Sequence, residues 1–347
     1  MDTSKKDIRK FELEDLRSDM KERGYPAFRG NQVYEWLWHK GATSFDEMTN
    51  LSLDMREKLN SEYSIDGIRE DVVQKSVDGT IKSRFRLYDD SMIESVLIPV
   101  PRDDRYTVCV SSQVGCSLAC KFCATGQMKR VRNLSAGEIY DQVVAVNRQS
   151  IEHFDHPLTN IVYMGMGEPL LTYKNVLQSI HHISGEHGLN MSPRRITVST
   201  AGIAKMIRKL GDDQVRFNLA LSLHAADDAK RNEIMPINEQ NNLESLVDAI
   251  EYFYQMTRNK VSYEYIAFQN YNDSEEDAHN LINLCKRYPV KVNIIEYNPI
   301  MGVDFIKSEE DTIDRFARIL RENDVMVTLR RSRGKDIDAA CGQLANK

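Results

Sequence analysis

Long hydrophobic runs are missing from this sequence. The longest are a handful of residues, far below the roughly 20 apolar residues that a bilayer-spanning helix requires. The acidic, Lys-rich start MDTSKKDIRKFELEDL also resembles no signal peptide. An excess of positive charge is missing too. With 46 Lys+Arg against 52 Asp+Glu the formal charge is -6, which excludes a generally polycationic nucleic-acid coat and leaves any RNA or DNA contact to local basic patches. Cysteine is scarce, six in 347 residues, too few for a disulfide scaffold. No internal repeat or low-complexity tract stands out. These absences lead to the expectation of a soluble cytoplasmic protein without a membrane segment. Apolar residues at 41%, charged at 28% and aromatics at 8% lie in the globular range, exclude disorder as the main state, and allow a large core with an accessory domain.

Residues 1–65 carry helical apolar spacing at Phe11, Leu13, Leu16, then Val33, Trp36, Leu37, then Leu51, Met55, Leu59. They predict a small N-terminal helical domain. Residues 66–101 alternate in the strand manner, with Asp78-Gly79 as a hairpin turn, and read as a connecting β segment. From 102 to about 340, short β-branched runs alternate with amphipathic stretches. The runs are 107–111, 160–164, 195–199, 217–223, 261–267 and 290–297, with a weaker seventh at 325–330. Six β/α repeats predict an α/β fold with a parallel sheet and crossover helices, either doubly wound or an incomplete barrel, with the site at the carboxyl ends of the strands.

Three of the six cysteines, Cys116, Cys120 and Cys123, lie within eight positions, directly after the first run of this region. In a reducing compartment that density reads as metal or redox chemistry. Three thiolates from one loop leave one iron of a four-iron cluster open to an exogenous ligand. Zinc with a remote fourth ligand is the rival, although no second CxxC or HxxxH pair is present.

The CxxxCxxC loop, with Phe122 before its last cysteine, resembles the radical S-adenosylmethionine (SAM) superfamily. That resemblance implies an incomplete (β/α)6 barrel, a [4Fe-4S] cluster whose open iron chelates SAM, and cleavage of SAM to a 5'-deoxyadenosyl radical. Beyond the loop, Cys109-Val-Ser-Ser-Gln-Val-Gly-Cys116, Arg132-Asn133-Leu134, Met164-Gly-Met-Gly-Glu168-Pro169, Ser199-Thr-Ala-Gly202, Ser222-Leu-His224, Asn298-Pro299 and Asp338-Ala-Ala-Cys341-Gly-Gln-Leu344 resemble the dual-specificity RNA adenine-C2 methyltransferases. These act on 23S ribosomal RNA and on the adenine 3' of certain tRNA anticodons. The family resemblance maps methyl carriage onto Cys341, disulfide resolution onto Cys109 and the general base onto Glu94. It maps SAM contacts onto Gly167, Glu168, Ser199, Ser222, Leu223, His224 and Asn298.

The chemistry is consistent with that set. Carbon 2 of adenine is electron-poor and offers no nucleophile, whereas a thiolate readily accepts a sulfonium methyl. A methyl first placed on cysteine can be activated through a second SAM, making two per turnover, and added to C2. Release then needs a base and a second thiol. Cys285, on an expected helix, reads as core packing. The runs Lys129-Arg130-Val131-Arg132, Arg194-Arg195 and Arg330–Lys335 read as a phosphate-binding rim around the site. An external electron donor of flavodoxin type and a monomeric state are further expectations. The competing readings are the sister branch that methylates C8 and a noncatalytic iron-sulfur or zinc RNA-binding module.

Overall fold

The computed structural model describes residues 5–346. Three helices open the chain: α1 (Leu13–Glu22), α2 (Phe28–Trp38) and α3 (Leu53–Glu62). Ser52 caps α3 by accepting the Met55 N–H at 3.3 Å, satisfying one of the orphan donors of the first turn. Of the apolar spacing read from the sequence, Leu16, Val33, Leu37, Leu51, Met55 and Leu59 are nearly inaccessible, whereas Phe11, Leu13 and Trp36 are half-buried and the neighbouring Trp38, which the spacing did not include, is the buried tryptophan.

The remaining chain builds one sheet of ten strands. Strands β1 (Arg69–Lys75), β2 (Ile81–Arg86) and β3 (Met92–Val100) form an antiparallel meander. The turn between the first two passes through Gly79 at φ +87°, at the Asp78-Gly79 position read as a hairpin. The segment taken as a connector is thus an extension of the main sheet. Strand β3 pairs antiparallel with β4 (Arg105–Cys109). From β4 the ladder is parallel through β5 (Asn160–Tyr163), β6 (Ile196–Thr200), β7 (Asn218–Ser222), β8 (Val261–Ala267), β9 (Lys291–Glu296) and β10 (Met326–Arg330). The six strong runs are all strands, and so is the weaker seventh. Each parallel step is crossed by helix: α4 (Ala136–Phe154), α5 (Tyr173–Ser184), α6 (Ala204–Asp212), α7 (Asp228–Ile234) with α8 (Leu243–Thr257), α9 (Glu275–Leu284) and α10 (Glu310–Glu322). Six β/α units and a closing strand make an incomplete barrel, because β10 and β4 do not pair.

The helical module and the barrel share one apolar core running from Ile8 to Leu344. Trp38 stacks on His182 of α5, centroids 3.6 Å apart, and Arg9 meets Asp141 of α4 at 2.8 Å. A second, smaller core of Phe122, Ala225, Met235, Phe268 and Tyr297 underlies the cysteine loop. Among the described residues, no helix is long and apolar enough to cross a membrane.

Candidate active site

Beyond β4 the chain forms a two-residue ribbon, Gln113–Val114 against Arg132–Asn133, which pinches off the loop carrying Cys116, Cys120 and Cys123. Three further bonds hold the loop from outside: Lys121 N–H to the Ile234 carbonyl at 3.0 Å, Ala124 N–H to the Gly342 carbonyl at 2.7 Å and Thr125 Oγ1–H to the Leu344 carbonyl at 2.6 Å. Phe122 is buried edge-on against His224, centroids 4.7 Å apart. Burial pushes the Cys116 thiol up to about 11, and it raises Cys120 and Cys123 as well, with mutual thiolate repulsion adding to the first two. Three crowded thiols of this kind ionise together only around a cationic centre.

Which centre fits follows from the donor set. Among the described residues, no three His, Cys, Asp or Glu side chains are arranged to hold a single metal ion, whereas tetrahedral zinc would draw its sulfurs within about 4 Å of one another. An iron-sulfur cluster takes each thiolate on a different iron. Three cysteines on one loop, each able to take a separate iron, fit a four-iron cluster with one open corner.

The loop faces a cavity of about 150 Å³. Its opposite wall contains Gly167, Glu168, Ser199, Ser222 and His224, all at strand ends. Two other expected contacts lie elsewhere. Leu223 is packed in the core, and Asn298 sits behind the cavity, donating from Nδ2 to the Cys341 carbonyl at 3.3 Å. Gly167 has φ +96°, and a Cβ there would come within 2.5 Å of Gln113 Cβ, so only glycine fits. Gln113 Oε1 in turn accepts the Glu168 N–H at 2.9 Å. The Glu168 carboxylate accepts the Ala201 N–H at 2.8 Å and the Leu170 N–H at 3.0 Å. Burial raises its pKa, an arrangement that a ligand ammonium group would relieve. Burial pushes His224 down to about 3, Arg231 adding to the effect, so its imidazole is neutral and its Nδ1 accepts the Ile266 N–H at 3.1 Å.

Cys341 enters the same cavity from the C-terminal loop, beside Arg330 and Glu264. Gly342, next to it, adopts φ +85°. Cys109, at the end of β4, is buried. Its thiol is pushed up to about 12 by burial and then by the neighbouring Cys341, with Arg330 acting in the opposite direction. Cys341 is exposed as a residue, but within the cavity desolvation of its thiol raises the pKa and Arg330 lowers it. Arg330 is held by Glu264 at 3.1 Å, and Glu264 Oε1 accepts from Ser262 at 2.8 Å and Asn293 at 2.7 Å. The structure therefore brings Cys341 and one guanidinium to the cavity shared with the three clustered cysteines, with Cys109 outside its lining but within electrostatic reach of both.

Glu94 lies outside that cavity wall, on the same face of the sheet as Cys109. It is fully buried, not a surface carboxylate. Its Oε2 accepts the Ala345 N–H at 2.9 Å and the Asn346 N–H at 3.0 Å, tying β3 to the segment that follows Cys341.

The phosphate-rim reading of the basic runs needs correction. Arg194 and Arg195 precede β6, whose carboxyl end carries the site, so they stand about 16 Å away at the opposite end of the sheet. In the third run Arg330 pairs with Glu264, while Arg331 and Lys335 pair with Glu296 at 2.7 and 2.8 Å. Arg132 bridges Asp89 and Glu138. Only Lys129 and Arg130 of the first run remain exposed without an acidic partner among the described residues. Cys285 caps the end of α9 against the core.

A buried arginine also escaped the sequence reading. Arg231 of α7 is fully buried, and it donates to the carbonyls of Leu223 at 3.0 Å, Ala201 at 2.5 Å and Ser222 at 3.1 Å and to Asn238 Oδ1 at 2.5 Å. It clamps the loops after β6 and β7 that form the cavity wall. Nothing in Lys-Arg-Asn-Glu distinguishes this arginine from a surface charge.

Comparison with known proteins agrees with this geometry. Residues 6–65 match the ribosomal RNA large subunit methyltransferase N-terminal domain, and residues 110–282 match the radical SAM superfamily. The probable dual-specificity RNA methyltransferase RlmN of Cytophaga hutchinsonii is 54% identical over 99% of this chain and 93% of its own length. A dual-specificity RNA methyltransferase, RlmN 2, of Myxococcus xanthus is 44% identical over 98% of this chain and 91% of its own. The crystal structure of a radical SAM methyltransferase from Sphaerobacter thermophilus superposes with a TM-score of 0.93 at 38% identity, covering 99% of this chain and all of that one. From its N-terminal helices to its three-cysteine loop, the chain belongs to the RlmN family of dual-specificity RNA methyltransferases, radical SAM enzymes that use a [4Fe-4S] cluster and S-adenosylmethionine.

Proposed function

We propose that the protein methylates carbon 2 of a specific adenine in 23S ribosomal RNA and of the adenine 3' of the anticodon in tRNAs. The observation that carries this reading is Cys341 lining the cavity of the clustered cysteines beside Arg330, with Cys109 buried behind it at the end of β4, close enough for the two thiols to interact electrostatically. Two thiols outside the cluster are what a methyl carrier and its release require.

Cys116, Cys120 and Cys123 hold the cluster, and Glu168, with Ser199 and Ser222 beside it, binds and orients SAM. When bound, the cluster and SAM supply a reducing electron and a carbon radical that activates the carried methyl group. Cys341 first takes the methyl from SAM by attack of its thiolate, with Arg330 favouring the ionised sulfur. Glu94 takes the C2 proton after the carbon has joined the ring, and the one unpaired electron left on the adduct would pass to the oxidised cluster held by Cys116, Cys120 and Cys123. Cys109 then attacks the Cys341 sulfur: the sulfur-carbon bond breaks, a disulfide forms, and the released carbon is protonated to a methyl group on the RNA. Phe122 and the apolar bed under the loop keep water from the reacting atoms. A one-electron donor of flavodoxin type reduces the cluster, and the chain works as a cytoplasmic monomer.

The test follows labelled methyl from SAM in anaerobic turnover. Cys341 should carry the label before RNA is added, Cys341→Ala should yield no methylated RNA, and Cys109→Ala should trap a protein–RNA adduct. Nuclease digestion should give 2-methyladenosine. Recovery of 8-methyladenosine, or methylation by Cys341→Ala, would overturn the reading.

A further inference from the structure

Lys82 is among the least accessible charged residues of the chain, with its side chain 3% exposed. Cross-strand register explains where it points. Lys82 stands opposite Val96, and Val96 opposite Cys109, so the three share one face of the sheet. Glu94, two residues before Val96, lies on that face too. Lys82 Nζ is 3.5 Å from Glu94 Oε1. Among the described residues no other cation lies within ion-pair distance of Glu94. Arg84, directly opposite Glu94 in the ladder, is instead engaged by Asp71 at 2.7 Å and by the Asn346 carbonyl at 3.2 Å.

The two carboxylate oxygens are treated differently. Oε2 accepts both C-terminal amides, whereas Oε1 is buried and accepts no hydrogen bond. A buried acceptor without a donor is uncommon, and here it is the atom facing the ammonium group. We propose that Lys82 is the positioning residue of the proton-accepting carboxylate. It supplies the counter-charge that faces Glu94 in a water-poor interior, at a distance that leaves Oε1 open for a proton. This rests on the reading of Glu94 as the base. In the step itself, the proton on adenine C2 moves to Oε1, the electron pair of the broken C–H bond stays in the ring, and Lys82 keeps its charge throughout. Without Lys82 the carboxylate loses the one cation that faces Oε1 among the described residues, and it accepts the substrate proton more slowly.

The experiment uses holoenzyme and RNA substrate in anaerobic single turnover, with two readouts: release of S-adenosylhomocysteine, which reports methyl transfer to Cys341, and the covalent protein–RNA adduct on denaturing gels. Lys82→Met should methylate Cys341 at the wild-type rate, accumulate adduct as Glu94→Gln does, and resolve it about 100-fold more slowly, at the low end of acid–base losses. Lys82→Arg should restore most of the rate. Should Lys82→Met fail to fold, Lys82→Gln carries the same comparison. Adduct resolved at the wild-type rate by the neutral variant, or loss of both readouts in a folded variant, overturns the role of Lys82. Normal resolution by Glu94→Gln overturns the base assignment itself, a different result.

Discussion

Replacing Arg231 with Met removes a guanidinium that joins three backbone carbonyls and one side-chain amide across two strand-end loops. Each buried carbonyl left without a donor costs about 1–3 kcal/mol, so the losses at Ala201, Ser222 and Leu223 amount to roughly 3–9 kcal/mol before relaxation. Relief from desolvating the guanidinium offsets part of this. Burial holds that group down to about 10. A net loss of about 3 kcal/mol is expected, equivalent to about 4 °C in Tm for a chain of this length. Because the clamp fixes the wall that carries Ser199, Ser222 and His224, SAM affinity should fall at least tenfold, about 1.4 kcal/mol. Differential scanning fluorimetry and calorimetric SAM titration of the reconstituted protein measure both. Arg231→Lys should fall between wild type and Met, since an ammonium group cannot reach all four acceptors. A change in Tm below about 1 °C with unaltered SAM affinity would refute the reasoning.

Gly167→Ala should cost about 2–4 kcal/mol, from left-handed backbone strain and collision with Gln113, and should weaken SAM binding through the displaced Glu168 amide. A melt and a SAM titration check it. Stability should fall as the pH drops below 6.5. His182 and His224 are both held near 3 in the fold, so the native state binds fewer protons than the unfolded chain; the stability is complete above 6.5 and is lost toward 3 at up to about 1.4 kcal/mol per pH unit for each. His182→Phe, which keeps an aromatic ring against Trp38, should roughly halve the decline in Tm between pH 7 and pH 5. Cys285, pushed up to about 12 by burial, should react with iodoacetamide far more slowly than Cys341 in the cluster-free protein, as read by peptide mass spectrometry.

Periodicity made the architecture legible. Hydrophobic alternation located every strand of the parallel sheet, and the 3.6-residue spacing of Leu16, Val33, Met55 and Leu59 marked the faces buried in the N-terminal module. Helix α7 was not legible, because seven residues rich in Asp, Lys, Arg and Glu carry too little apolar pattern to separate them from a loop. In the site, cysteine spacing pointed to the loop that faces the cavity, and strand ends gathered five of the seven expected SAM contacts around that cavity. Charge was the poorer guide. Arg330, Arg331 and Lys335 read as free cations, yet their partners Glu264 and Glu296 lie 35–66 residues away in sequence. Lys82 and Arg231 were hidden for the same reason: a buried charge and a solvated one use the same letters.

The barrel's missing seam has a mechanical consequence. The space between β10 and β4 is stoppered by the segment Gly334–Asn346, which is stitched to the β1–β2 turn through Asp78 and Asp336, to the cysteine loop through Gly342 and Leu344, and to β3 through Glu94. The thiol at Cys341 is therefore mounted on the stopper rather than on the vessel. Under the proposed reaction an adenine entering the lumen must pass beside that plug, the same piece of chain that carries the Cys341 thiol.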